Sequence, residues 1–197
     1  MSDENGVIYR ISGPVVTATG IRSRMYEVVR VGHEGLMGEV IELHGEKSVI
    51  QVYEDTSGIR PGEPVVRTGQ TLSVQLGPGL LTQIYDGIQR PLEDLEATMG
   101  VFITRGVDAD GLDLSKKWEF NATAAVGDEI SGGSVIGVVQ ETETVEHRVM
   151  VPPGTSGKVA SIESGEFDIT TTVCKLDNGT EIAMMQEWPV RTPRPFV

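Results

Sequence analysis

The sequence predicts a mostly β protein, in which two small β-rich modules are joined by a short helical connector. Three observations carry that expectation. Glycine and proline, 24 and 10 residues of 197, exceed their usual combined share of about one residue in eight, which favours many turns over long helices. Between residues 6 and 66, short runs of alternating apolar and polar residues stop at glycine-bearing turns. A second glycine-punctuated pattern begins near residue 118, after the polar stretch GVDADGLDLSKKWEFN.

The first module reads as strands over Val7–Ile11, Val15–Ala18, Tyr26–Val31, Met37–Leu43, Ser48–Tyr53 and Val65–Arg67, separated by turns at Gly13, Gly20, Gly32 to Gly35, Gly45 and Gly62. Strands so short and so evenly spaced point to a closed barrel of about six strands, an architecture that leaves no exposed edge to template aggregation. In Arg60-Pro61-Gly62-Glu63, proline fixes one backbone angle and glycine supplies the other, so this is a plain turn.

The connector begins as a strand through Leu72, Val74 and Leu76 and breaks at Gly77-Pro78-Gly79. Leu80, Leu81, Ile84 and Tyr85 then fall on one helical face, predicting a short helix that Asp86-Gly87 ends, because glycine adopts a left-handed backbone cheaply. Pro91 opens a second helical segment with Glu93, Asp94 and Glu96 near its positive end. The apolar spacing of Leu95, Met99 and Phe102 continues it as far as Thr104, although Gly100 weakens that continuation.

In the second module, about residues 118 to 183, Val126-Gly127-Asp128-Glu129-Ile130 leads through Gly132-Gly133 to the apolar run Val135-Ile136-Gly137-Val138-Val139. Glu141 to His147, Val149 to Val151, Pro152-Pro153-Gly154 and Gly157-Lys158-Val159 follow. This layout resembles the barrel-sandwich domains that carry lipoic acid or biotin on a lysine at an exposed turn. The corresponding turn here, Gln140-Glu141-Thr142-Glu143-Thr144, has no lysine to acylate. Met184 to Trp188 reads as a strand returning to the main body, and Pro189, Pro193 and Pro195 keep the exit extended.

Composition excludes several function classes. Sixteen basic against 29 acidic residues give a net charge of −13, which repels nucleic-acid phosphates and anionic lipid surfaces. The single cysteine, Cys174, can form neither an internal disulfide nor a cysteine-rich metal site, and a reducing, cytoplasmic setting is expected. Residues 1 to 30 lack a basic segment followed by an apolar run, and no apolar stretch is long enough to span a bilayer, so the expectation is a chain neither secreted nor membrane-spanning. The sequons at Asn121 and Asn178 are idle in that setting.

No residue is assigned a catalytic, cofactor-binding or metal-binding role. A phosphate loop needs glycines that let backbone N–H groups approach the phosphates, then Lys and Ser or Thr. Gly45-Glu46-Lys47-Ser48 puts a carboxylate where phosphate would sit, and Ser156-Gly157-Lys158-Val159 lacks the magnesium-binding hydroxyl. Asp108-Ala109-Asp110-Gly111-Leu112-Asp113 superficially resembles a calcium loop. With Asp108 at position one, Glu119 stands at position twelve, but the glycine falls at position four instead of six, and a solvated loop is expected. Gly132 to Gly137 lacks dinucleotide-loop spacing and reads as a turn into a strand. His33, His44 and His147 are scattered and read as surface histidines. Alternation places Glu141 and Glu143 on one solvated strand face, Glu54-Asp55 is a bare carboxylate pair, and Cys174 reads as a small buried apolar group.

Five runs carry a wider resemblance: Ile8 to Val16 (IYRISGPVV), Gly35 to Glu42 (GLMGEVIE), Gln51 to Val65 (QVYEDTSGIRPGEPV), Gly77 to Leu92 (GPGLLTQIYDGIQRPL) and Trp188 to Pro195 (WPVRTPRP). In this order they resemble the N-terminal part of the catalytic A subunits of archaeal and vacuolar-type rotary ATPases, up to the phosphate-binding loop. The resemblance implies four parts: an N-terminal barrel at 1–68, a connector at 69–110 that begins the nucleotide-binding core, a bulge or non-homologous module at 111–185, and a return strand at 186–197. It further implies a non-catalytic region, inactive alone, within an ATP synthase subunit whose ATP or ADP and magnesium bind in a downstream core. Implied partners are B subunits in an alternating ring of three A and three B, and peripheral stalk subunits at the bulge. The complex would sit on the cytoplasmic face of the membrane, without direct lipid contact by this chain, and the chain alone would be a monomer. The other reading left open is a stand-alone carrier or adaptor module of the lipoyl or biotinyl type.

Overall fold

The computed structural model describes residues 5–99 and 105–195. The chain divides into two compact units, Met1–Ser73 with Glu96–Asp108, and Val74–Leu95 with Ala109–Val197. Among the described residues no helix is long and apolar enough to cross a membrane.

The first unit is a closed antiparallel barrel. Its strands are β1 (Asn5–Ser12), β2 (Val15–Thr19), β3 (Glu27–Val31), β4 (Leu36–His44), β5 (Lys47–Val52) and β6 (Pro64–Thr71), hydrogen-bonded in the order β1-β2-β5-β4-β3-β6. Closure comes from β1 against β6, where Asn5 faces Val66 and Val7 faces Pro64. The expected six strands are all present, each within a few residues of its sequence boundaries. Val16, Val29, Val31, Leu36, Val40, Ile50 and Val65 are fully buried and fill the interior, as the period of two requires of a barrel small enough for side chains to close it. Gly38 belongs to β4 for a packing reason: a Cβ there would stand 2.7 Å from Ile50 Cγ2. The Arg60–Glu63 turn forms as expected, with Glu63 N donating to Arg60 O at 3.2 Å and Gly62 at φ 93°.

β7 (Ser73–Leu76), which belongs to the second unit from Val74 on, pairs with β16 (Gln186–Pro189). The helix expected over Leu80 to Tyr85 is not there; residues 77–91 form a sequence of turns. Local side-chain bonding displaces it. Asp86 Oδ1 accepts from Ile88 N at 3.0 Å and Arg90 N at 2.9 Å, while Arg90 Nε donates to Asp86 Oδ2 at 2.8 Å. An aspartate that captures its neighbours' N–H groups offers the backbone an alternative to helix. Gln89, not Gly87, takes the left-handed conformation at φ 63°. Leu81 and Ile84, the supposed buried face, are 61% and 65% exposed. The second helical segment does form, as α1 (Leu92–Met99), with Leu95 N donating to Pro91 O. Its expected continuation through Gly100 to Thr104, including Phe102, lies outside the described residues.

The rest of that unit is a sandwich of two four-stranded sheets. One has the order β11-β10-β8-β13, from β8 (Lys117–Ala122), β10 (Val135–Gln140), β11 (Glu146–Met150) and β13 (Gly165–Asp168). The other has the order β15-β14-β12-β9, from β9 (Glu129–Ser131), β12 (Ser156–Ile162), β14 (Thr172–Leu176) and β15 (Glu181–Ala183). Phe120, Ile136, Val149, Val151, Ile169, Leu176 and Ile182 form one continuous apolar core with Cys174 and Met184. Phe120 lies on the backbone of Gly137, where a Cβ would stand 2.3 Å from its ring. Burying a side chain of that size contributes about 3 kcal/mol, and only glycine leaves it room.

Candidate functional site

The motifs that approach known chemistry are committed to the β framework. Gly45 and Glu46 are the tip of the β4–β5 hairpin, in which His44 faces Lys47. The Lys47 ammonium sits 4.0 Å over the Tyr9 ring, and Ser48, 1% exposed, shares a 2.7 Å hydrogen bond with Ser23. This is strand, turn and strand, whereas a phosphate loop is strand, loop and helix N-terminus. Ser156-Gly157-Lys158-Val159 is the start of β12, paired with β9 through Gly157 and Ile130. Gly132-Gly133 turns β9 into β10, with Gly133 at φ 89° and Ser134 N donating to Ser131 O.

The aspartates of the calcium-like run have separate partners. Asp108 accepts twice from Arg30 Nη2, at 2.5 and 2.6 Å. Asp110 accepts from Gln75 Nε2 at 3.4 Å, and Asp113 accepts from the N–H groups of Ser115 and Lys116 and the Ser115 hydroxyl. Among the described residues, no three carboxylate, histidine or cysteine side chains converge as a metal site. Glu54 and Asp55 also diverge: Glu54 accepts from Met37 N and Gly106 N, and Asp55 from the Ser57 backbone and hydroxyl. Cys174 is 1% exposed, and burial pushes its thiol above the usual value, so the thiolate needed for reactivity is disfavoured. His33 is exposed, and His44 is an exposed partner of Glu42 at 2.8 Å.

Glu141 and His147 overturn the sequence expectation. Residues 141–145 leave the strand, and the Glu141 side chain is 2% exposed. Its Oε1 accepts from Gly79 N at 2.7 Å and Leu81 N at 3.1 Å, and its Oε2 lies 3.4 Å from His147 Nδ1. The carboxylate therefore ties the tip of the β10–β11 hairpin to the loop that follows β7. His147 is largely buried rather than on the surface; burial lowers its pKa, opposed by the Glu141 charge and hydrogen bond. The alternation rule failed because strand β10 ends at Gln140, so the Glu141 side chain follows loop geometry and not the pleat.

A second tie has no sequence signature beyond two glutamines. Gln89 Oε1 accepts from Gln75 N at 2.6 Å and Gln89 Nε2 donates to Gln75 O at 2.7 Å, so one amide side chain completes a β-like pair with β7. In the barrel, Glu27 plays the corresponding part. It is 2% exposed and accepts from Arg67 Nε at 2.8 Å and Arg67 Nη2 at 3.1 Å, and also from Arg24 N and Gly69 N. Burial alone would raise its pKa, but the Arg67 and backbone donors outweigh it and hold the carboxyl below the ordinary value.

The geometry is thus that of a carboxylate-tied β scaffold, and the comparisons with known proteins place it. The description "ATP synthase alpha/beta family, beta-barrel domain" matches residues 8–69, the barrel. "ATPsynthase alpha/beta subunit barrel-sandwich domain" matches residues 109–191, the sandwich. The chain belongs to the ATP synthase alpha/beta family. It is 60% identical over 190 residues to the A subunit of the A-type ATP synthase of Methanosarcina barkeri, covering 96% of this chain and 33% of that protein. The A subunit of Natronomonas pharaonis is 58% identical over 195 residues, 98% of this chain and 33% of that protein. That of Methanoculleus marisnigri is 62% identical over 191 residues, 96% and 32%. The chain spans about a third of the length of these curated relatives and matches their N-terminal region.

Proposed function

We propose that this chain is the non-catalytic N-terminal region of the catalytic A subunit of a rotary proton- or sodium-translocating ATP synthase. It holds and positions the parts around it, and ATP synthesis or hydrolysis takes place in a downstream core that binds ATP or ADP and magnesium. The observation that carries the reading is the match to the Methanosarcina barkeri protein over 96% of this chain and 33% of that relative. On this reading residues 1–68 tie a ring of alternating A and B subunits together, and residues 69–110 lead into the nucleotide-binding core. Residues 111–185 present a rigid module to peripheral stalk subunits, and residues 186–197 return the chain to the core. The chain lies on the cytoplasmic face of the membrane through other subunits, in keeping with a net charge of −13 that repels anionic lipid. A carrier role of the lipoyl or biotinyl type is disfavoured by the 140–144 turn, which has no lysine and buries Glu141.

The test is to replace residues 111–185 by a short linker in the full-length protein. ATP hydrolysis by the head is expected to persist, while stalk attachment and coupling to ion flow are lost. Normal stalk assembly and coupling would refute the role given to the sandwich module.

A further inference from the structure

A cavity of about 220 Å³ in the second unit is lined by Leu76, His147, Arg148, Met150, Met184, Gln186 and Arg194. Two arginines and a histidine line it, and no carboxylate does. In a chain of net charge −13 that is the reverse of what chance placement gives. We propose that this cleft binds a single oxyanion group, a phosphate or a carboxylate.

Three donors supply the site. The Arg194 guanidinium is held in place from two sides: its Nη2 donates to Gln186 Oε1 at 3.0 Å, and its centre stands 5.0 Å from the Trp188 ring centroid. Gln186 is fixed in turn, because its Nε2 donates to Met150 O at 2.5 Å. Arg194 Nη1, however, is buried and has no partner among the described residues. A buried cationic N–H without an acceptor is costly, and an anion in the cleft supplies one. Arg148, on β11, is exposed and has no side-chain partner among the described residues. His147 is oriented by Glu141 at its Nδ1, and its Nε2 has no partner among the described residues. The Glu141 charge is spent on Gly79 N and Leu81 N as well as on His147.

Size selects the ligand. Pockets for drug-sized ligands and cofactors run to roughly 300–1,000 Å³, so this cleft seats a single phosphate or carboxylate group, and the rest of any larger molecule would project outside it. Two guanidinium groups suit either, because their N–H forks match paired oxygens. The buried Met184 and half-buried Leu76 give the cleft one apolar flank, beside which the attraction is stronger than in open water.

The experiment is an amide and arginine side-chain NMR titration of the whole chain. Sodium phosphate and sodium acetate are added separately, each against sodium chloride at constant ionic strength. Saturable shifts confined to His147, Arg148 and Arg194 are expected with phosphate. Arg148→Gln, at an exposed position that leaves the fold intact, and Arg194→Gln should each weaken the response about tenfold. Lys47→Gln, in the other unit, should leave it unchanged. Saturation with acetate as well would extend the site to acidic side chains, and saturation with phosphate alone would restrict it to tetrahedral anions. No saturable shift with either anion, or an unchanged response in both arginine variants, would overturn the proposal.

Discussion

Glu27 is the residue whose removal should be felt most in the barrel. It ties Arg67, Arg24 N and Gly69 N together at one buried carboxylate, and breaking a buried ion pair from one side costs about 3 kcal/mol. Glu27→Gln is expected to lower barrel stability by that amount, read from urea unfolding followed on barrel resonances. The pH dependence has a definite sign. The folded pKa lies below the ordinary value of 4.5, so the unfolded chain binds more protons in the acid range and stability rises with pH there. The contribution is complete above about pH 5 and is lost as pH falls through the folded pKa; Glu27→Gln should remove that part of the acid sensitivity. At Gly137 the constraint is steric. An added Cβ would stand 2.3 Å from Phe120, and Gly137→Ala should destabilise the sandwich by about 1–3 kcal/mol, visible as a lower denaturation midpoint. Gly137 stood in the sequence as one glycine in an apolar run, and nothing local announced the aromatic ring packed on it.

Among elements, the loop after β7 departs furthest from sequence reasoning. The spacing of Leu80, Leu81, Ile84 and Tyr85 is helical, yet the Asp86–Arg90 turn and the Glu141 tie hold residues 77–91 in turns. Local hydrogen bonding from Asp86 and a long-range acceptor, 62 positions away from Gly79 in sequence, outweigh a marginal one-turn helix, which lacks the length to stabilise itself. Glu141→Ala should therefore speed amide exchange at Gly79 and Leu81 more than elsewhere and lower stability by about 2 kcal/mol. Uniform exchange rates in that variant would refute the tie. The Glu141 charge favours protonated His147, so Glu141→Gln should move the His147 titration to lower pH, followed by its ring-proton shifts. The barrel strands, by contrast, were legible because alternation and glycine turns are local signals and closure satisfies all of them at once.

For the whole molecule, each unit has its own buried cluster, one filled by residues such as Val29 and Ile50, the other by Phe120 and Leu176. Both near-miss phosphate motifs lie in hairpin or strand. Adding ATP with magnesium should therefore leave the thermal midpoint of this chain unchanged, since only a ligand bound to the folded state raises it; a shift of several degrees would contradict that. Local pattern was enough for the mostly β class, the six barrel strands, the start of α1 directly after Pro91, the strand through Trp188 and the burial of Cys174. Period-two alternation, glycine turns and proline at a helix start act over a few residues, so the amino-acid order carries them directly. Folding in three dimensions was needed to bury Glu141, to close a backbone pair between Gln89 and Gln75, to keep residues 80–85 out of a helix, and to line one cleft with Arg148 and Arg194. Each of those depends on groups brought together from distant parts of the chain, where the energy of burying or pairing a polar atom exceeds any local preference.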